Sequence, residues 1–314
     1  MMKAIFFSFL ASLAMTCAVF AQKGDPAEQQ RVRTVSIPIS IFTKAELRNG
    51  QAEEFIQADR LIVKEDRDEQ TILSIRSVVD APLALAILIQ DDLSSNFNLQ
   101  LSDLRKFIRS LPRGSRVMVA YLRGGQTQIR QRFTTDLYAA ANSLRIVASS
   151  STVAPRNPFD SVVDALNRFD ALPAGRRALL LISDGLDSTQ GLSSSSPSES
   201  IDLERAISRA QRRNVAVFSI YNPASLTERG DARLVLNGQG SLAKLADETG
   251  GRAFFQGSTA INFDPFFRDL NLLLNRQFLL SYLSTHMKRG YHRVEVFSTN
   301  PDVKIEHPKG YYFR

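Results

Sequence analysis

The amino-acid sequence predicts an α/β protein: a doubly wound, mainly parallel sheet over residues 81–275, with a small β domain built jointly by residues 32–80 and 276–314. Three observations carry this expectation. Two uninterrupted apolar runs, Leu83-Ala-Leu-Ala-Ile-Leu-Ile89 and Ala178-Leu-Leu-Leu-Ile182, have the length and continuity of strands buried on both faces, as in a parallel sheet. Around them, strand-like and helix-period segments alternate, as βαβ crossovers require. After residue 276 the alternation stops, and segments 277–283, 292–298, 303–306 and 311–313 read as strands with no helix between them.

In chain order, Met1-Met-Lys3 is a basic start, residues 4–18 are an uncharged apolar run, and Val19-Phe20-Ala21 before Gln22 fits a cleavage site, so residues 1–21 read as a secretory signal peptide. Residues 22–31 are polar and read as a disordered leader. Val32-Arg-Thr-Val-Ser-Ile-Pro-Ile-Ser-Ile41 alternates like a half-buried strand, which Pro38 places at an edge or bulge. Residues 60–63 and 71–79 read as two more strands, with Lys64-Glu-Asp-Arg-Asp-Glu-Gln70 as their turn. After strand 83–89, Leu101, Leu104, Phe107, Ile108 and Leu111 recur at helical spacing until Pro112-Arg-Gly114 stops them. Residues 116–122 and 128–133 form a hairpin around Gly124-Gly125. Helices are expected at 137–146 and 160–169, then the strand at 178–182, a helix at 199–213, a strand at 215–221, a helix at 241–249, a short edge strand within 250–255 and a helix at 263–274. Two loops stand out, 149–156 and 189–198; the second contains Ser193-Ser-Ser-Ser-Pro-Ser198 and is a candidate lid.

Cys17 is the sole cysteine and lies inside the signal, so the mature chain is held by its core alone and has neither thiol catalysis nor a cysteine-ligated metal. Its length is ample for a large core. The net charge of +7 is spread along the chain. Arg105, Lys106 and Arg109 share one predicted helix, and Arg205, Arg209, Arg212 and Arg213 another. Such runs read as solvated faces, with a patch for anionic envelope polymer as the alternative. No aromatic-interleaved basic ribbon or nucleic-acid motif is present, so no nucleic-acid partner is expected. No second apolar run reaches spanning length, so no transmembrane segment is expected in the mature chain.

Each buried run ends in an aspartate cluster, Gln90-Asp-Asp-Leu-Ser-Ser-Asn96 and Ser183-Asp-Gly-Leu-Asp187. In open α/β sheets ligand sites form just beyond the carboxyl ends of the strands. Carboxylates and hydroxyls there are hard oxygen ligands. The same residue types also serve turns and helix caps.

Together these segments resemble the von Willebrand factor type A domain, and more narrowly its exported Acidobacterial relatives. The residues carrying the resemblance are Arg60-Leu-Ile-Val-Lys-Glu-Asp66, Pro82-Leu-Ala-Leu-Ala-Ile-Leu-Ile89, Leu179-Leu-Leu-Ile-Ser-Asp-Gly185, Ala246-Asp-Glu-Thr-Gly-Gly-Arg252, Gln277-Phe-Leu-Leu-Ser-Tyr282 and Lys309-Gly-Tyr-Tyr312. The resemblance implies a von Willebrand A, Rossmann-like sheet and a metal-ion-dependent adhesion site holding Mg²⁺ or Mn²⁺. That site takes Asp-x-Ser-x-Ser after the first strand, a threonine from a later loop and an aspartate after the fourth strand. Such an ion accepts a carboxylate from a protein partner.

Here the first motif reads Gln90-x-Asp92-x-Ser94, or Asp92-x-Ser94-x-Asn96 after a two-residue slip. Asp92, Ser94 and Asp184 are therefore the candidate metal ligands, with Asp91 and Asn157 as alternates. Arg156 falls where the family has threonine. Its guanidinium could take the ion's place against Asp92 or Asp184, giving a metal-independent binder with no cofactor.

His286, His292 and His307 all fall in the C-terminal strands and read as surface histidines. No Gly-x-Ser-x-Gly elbow or paired-histidine zinc spacing occurs, and no nucleophile–base–orienter set can be assembled. The expectation is thus a non-enzymatic exported protein, periplasmic or extracellular, that binds a protein or a cell-envelope component.

Overall fold

The computed structural model describes residues 31–43, 61–78, 81–123, 126–148, 157–172, 175–191, 195–228, 231–255 and 262–313. Residues 1–30, where the signal peptide and most of the leader are expected, and the whole loop at 149–156, Arg156 included, lie outside the described residues. In chain order the elements are β1 (Arg33–Thr43), β2 (Leu61–Glu65), β3 (Asp68–Ser77), β4 (Leu83–Gln90), α1 (Leu101–Ser110), β5 (Arg116–Arg123), β6 (Gln126–Thr134), α2 (Leu137–Asn142), α3 (Pro158–Asn167), β7 (Arg176–Ser183), α4 (Ile201–Arg213), β8 (Ala216–Tyr221), α5 (Ala232–Thr249), β9 (Ala253–Phe254), α6 (Asp264–Asn275), β10 (Gln277–Ser284), β11 (Gly290–Ser298), β12 (Val303–Glu306) and β13 (Gly310–Phe313).

The strands form two sheets in a mixed α/β arrangement. One has the order β6-β5-β4-β7-β8-β9. Its β4 pairs in parallel with β5 and β7, β7 with β8, and β8 with β9, while β6 returns antiparallel to β5. All eight residues of β4 are buried, as an apolar run without alternation requires. Its side chains feed two separate cores. Leu85, Ile87 and Ile89 pack with Leu104 and Ile108 of α1 and Leu270 and Leu273 of α6. Ala86 and Leu88 pack with Phe159 and Val162 of α3, Leu203 and Ile207 of α4, and Leu242 and Leu245 of α5. Period-2 strand geometry therefore puts helices on both faces.

The other sheet has the order β12-β1-β10-β3-β2-β11-β13 and is antiparallel throughout. It draws its strands from both ends of the chain around a third core of Val35, Ile37, Ile39, Val63, Leu280, Tyr282, Val294 and Val296. Pro38 is paired with Leu279 of β10, but β12 pairs only with residues 40–43, so the proline lies beside an unpaired stretch. Arg252 reaches across to Glu306 of β12 through Nε at 3.1 Å and Nη2 at 2.6 Å, and Ser208 of α4 donates to the Tyr312 hydroxyl at 3.0 Å.

Three elements depart from the sequence expectation. The helix expected at 137–146 stops at Asn142. Beyond it, the Tyr121 hydroxyl donates to the Arg145 carbonyl and accepts from the Arg145 amide, both at 2.8 Å, which holds the chain out of helix. The helix expected at 241–249 starts at Ala232, capped by the Asp231 carboxylate. Its Asn237-Gly-Gln-Gly240 segment hides the period because those glycines serve packing. The turn expected over seven residues is only Asp66-Arg67, both at positive φ, 49° and 82°, the geometry of a two-residue hairpin.

Candidate functional site

The parallel register brings the ends of β4 and β7 level, with Ile89 opposite Ile182. The next side chains, Gln90 and Ser183, are both buried. Gln90 Oε1 accepts from Ser183 Oγ at 2.5 Å and from the Asp184 amide at 3.2 Å, and Gln90 Nε2 donates to Asp92 Oδ1 at 2.9 Å. One amide thus joins the two aspartate loops. Gln90 stands at the strand end facing Asp184.

Asp184 is fully buried. Its Oδ1 accepts from the Leu186 amide at 3.2 Å and its Oδ2 from the Thr227 hydroxyl at 3.4 Å. The loop is pinned by a close backbone approach. Gly185 has φ +68°, and a Cβ on Gly238 of α5 would stand 2.0 Å from the Asp184 carbonyl oxygen. Asp187 ties the loop onward, accepting from Thr189 and from Ser200, the N-cap of α4.

The loop after β4 is stitched to the loop after β8 by the Ser94 amide donating to Pro223 O at 2.9 Å and by a bridge between Leu93 and Ala224. Ser94 Oγ and Asn222 Oδ1 are buried and have no hydrogen-bond partner among the described residues. Asp91 turns elsewhere, pairing with Arg145 Nη1 at 2.7 Å, and its carboxylate pushes that guanidinium above its ordinary pKa. Arg145 also lies over the Tyr121 ring, 4.2 Å from its centroid. Asn157 caps α3, accepting from the Phe159 and Asp160 amides, and donates to Asp202 at 2.6 Å.

Of the sequence candidates, Asp92 and Asp184 are therefore linked through Gln90, and Ser94 lies in the loop stitched beside them. Asp91 and Asn157 have separate structural tasks. Asp92, Ser94 and Asp184 are oxygen donors of the kind that suits Mg²⁺ or Mn²⁺, and the group between the two aspartates is the neutral amide of Gln90. Arg145, Thr227 and Gly238 were not singled out in the sequence. Arg145 and Thr227 carry no local signal, whereas Gly238 announces itself as a glycine inside a helix.

The histidine expectation is corrected. His292 and His307 are buried at 3% and 7% exposure, and His286 is partly buried. His307 lies between the Val296 amide, which donates to Nε2 at 3.3 Å, and the Pro308 carbonyl, 3.0 Å from Nδ1. Burial pushes its pKa down to about 4. Among the described residues, Glu65, Asp66 and His286 alone form a group of three such side chains compatible with a divalent ion, their ligand atoms all lying within 4.8 Å of one another. The basic helix faces are partly engaged too: Arg205 pairs with Asp160 and Asp202, and Arg213 with Asp170.

No protein-family model and no curated protein sequence matches the chain. Among the described residues, no helix is long and apolar enough to cross a membrane. Similar solved structures include an aerotolerance-related membrane protein from Bacteroides fragilis, at 13% identity over 62% of this chain and 98% of that one, TM-score 0.46. Another is von Willebrand factor type A from Catenulispora acidiphila, at 11% identity over 83% of this chain and 75% of that one, TM-score 0.42. A third is the manganese-loaded TRAP protein of Plasmodium vivax, at 11% identity over 79% of this chain and 96% of that one, TM-score 0.42. Von Willebrand A proteins are thus among the solved structures to which this chain is similar.

Proposed function

We propose that this is an exported, non-enzymatic binding protein that docks a protein partner on the carboxyl edge of its parallel sheet. In this reading the signal segment delivers the chain to the periplasm or exterior, and the six-stranded layer is a doubly wound, von Willebrand A-like platform. The observation that carries the reading is the Gln90 bridge to Ser183, Asp184 and Asp92. It ties both loops together through one side chain, and a preorganised surface loses less entropy on binding. Leu99 and Ile201 follow these two loops in sequence, and they, Ile146 and Leu236 are each at least 67% exposed. Exposed aliphatics suit a protein contact better than an anionic polymer. The test is site-specific photo-crosslinking in the native envelope from Ile146 and Ile201, with Leu73 as a distant control. The same discrete adduct from both positions, lost in Leu236→Asp, supports the reading; no adduct, or equal labelling from Leu73, removes it.

A second reading rests on one observation, the buried Ser94 hydroxyl without a described partner. In it Asp92, Ser94 and Asp184 would hold Mg²⁺ or Mn²⁺, and the ion would accept a partner's carboxylate. Calorimetric titration with either ion separates the two. Heat abolished by Asp184→Ala favours the metal-dependent reading, and no such heat at millimolar ion favours the amide-wired one.

A further inference from the structure

We infer that the antiparallel sheet carries a metal site of its own, in which Glu65, Asp66, His286 and His292 bind a divalent transition-metal ion of the Zn²⁺ class. The site is remote in sequence from the aspartate loops and independent of the function proposed for them.

The tight turn at Asp66-Arg67 places Glu65 and Asp66 side by side against β11 and the segment after β10. Glu65 is fully buried. Its Oε1 accepts from Ser284 Oγ and Tyr311 Oη, both at 2.8 Å, and lies 3.5 Å from Arg33 Nη2. Its Oε2 is buried with no hydrogen-bond partner among the described residues, and so is His286 Nδ1. A buried carboxylate oxygen left unpaired costs more than most side-chain contacts recover, so its persistence calls for a partner.

The ring orientations say what kind of partner. His286 Nε2 donates to Asp68 Oδ2, a pure acceptor, at 3.1 Å. Its Nδ1 faces Glu65 Oε1 at 3.6 Å, beyond hydrogen-bond reach. His292 stands beside it. Its Nε2 faces the Lys288 carbonyl at 2.6 Å, which leaves Nδ1 towards Asp66 Oδ2 at 2.8 Å and Glu65 Oε1 at 3.4 Å. Two imidazole Nδ1 atoms and two carboxylates converge, and the outward nitrogen of each ring is oriented by an acceptor. Outer-shell acceptors of this kind accompany metal-binding histidines. Asp66 Oδ1 is held by the Arg293 amide at 2.9 Å, which turns Oδ2 inward.

The carboxylates of Glu65, Asp66 and Asp68 gather around the cluster beside a single guanidinium, that of Arg33. Mixed imidazole and carboxylate donors select Zn²⁺-like ions over Mg²⁺ or Ca²⁺. Ligands about 2.0 Å from a tetrahedral ion stand about 3.3 Å apart. The Glu65, Asp66 and His286 ligand atoms, within 4.8 Å of one another, reach that by small side-chain rotations.

The test is calorimetric titration of the purified full chain with Zn²⁺ near neutral pH, with Co²⁺ absorption as a spectroscopic signature of four-coordinate binding. The expected result is stoichiometric binding, weakened at least tenfold by His286→Gln and about 10–100-fold by Asp68→Asn. His286 and Asp68 are both solvent-accessible, so these variants avoid emptying a buried position; circular dichroism confirms their folding. No Zn²⁺ heat would mean that protons alone balance the cluster, and the inference falls. It falls equally if binding survives His286→Gln or Asp68→Asn undiminished.

Discussion

The side-chain oxygen of Gln90 accepts a hydrogen bond from the Ser183 hydroxyl at 2.5 Å, between the ends of two neighbouring parallel strands. The same oxygen takes the Asp184 amide, and the amide nitrogen reaches Asp92. Gln90→Ala removes all three contacts in a buried place and strands the Asp184 amide. Urea unfolding should show a loss of about 1–3 kcal/mol, with the denaturant slope unchanged. A loss under about 0.5 kcal/mol would mean that the loops are held by other contacts.

Gly238 lies in α5 where a Cβ would stand 2.0 Å from the Asp184 carbonyl oxygen, a backbone atom that cannot swing aside. Gly238→Ala should push the helix off the loop and cost about 2–4 kcal/mol, despite alanine's better helix propensity. Gln239→Ala, one position on, should change stability by less than about 1 kcal/mol. Thermal unfolding of the pair distinguishes a packing glycine from a tolerated one.

Asp91 is 8% exposed and its ion-pair partner Arg145 is more accessible. Arg145→Ala leaves that carboxylate nearly buried and takes the guanidinium from the Tyr121 ring. A loss of about 1–2 kcal/mol is expected, discounted for solvent at the arginine. Arg145→Lys should recover only part of it, since a lysine lacks the planar stacking group.

Arg67 sits at φ 82° in the two-residue turn between β2 and β3, a conformation that costs most L-residues about 1–2 kcal/mol. Arg67→Gly should therefore stabilise the protein by about 1 kcal/mol in chemical denaturation. Asp66→Gly should not, because Asp66 gives up contacts to the Arg293 amide and to His292.

His307 sets a pH dependence. Burial lowers its pKa from 6.5 to about 4, so between those values the unfolded chain binds a proton that the native ring does not. The contribution is fully present above about pH 6.5 and is lost as pH falls towards 4. Its upper limit is about 3 kcal/mol. Stability measured from pH 7 to pH 4 should fall less steeply in His307→Gln than in the parent; parallel curves would show that other groups govern the acid limb.

The division between what could and could not be read in the chain follows from the range of each interaction. Leu83-Ala-Leu-Ala-Ile-Leu-Ile89 and Ala178-Leu-Leu-Leu-Ile182 announce buried parallel strands because burial on both faces permits no polar alternation, and that is written residue by residue. The aspartates after them mark a sheet edge for the same reason. Helix α5 was half hidden because Gly238 answers to a backbone atom across a tertiary contact, not to helix propensity. His286 and His292 looked like surface residues because the carboxylates they meet, Asp66, Asp68 and Glu65, lie more than 200 residues away in sequence. The sequence by itself determined the strands, most of the helices and the edge where they end. Only the tertiary structure decided that Gln90 bridges that edge, that Asp91 belongs to Arg145, and that two histidines and two carboxylates meet in the other sheet, because hydrogen-bond partners are chosen by register and packing rather than by neighbours along the chain.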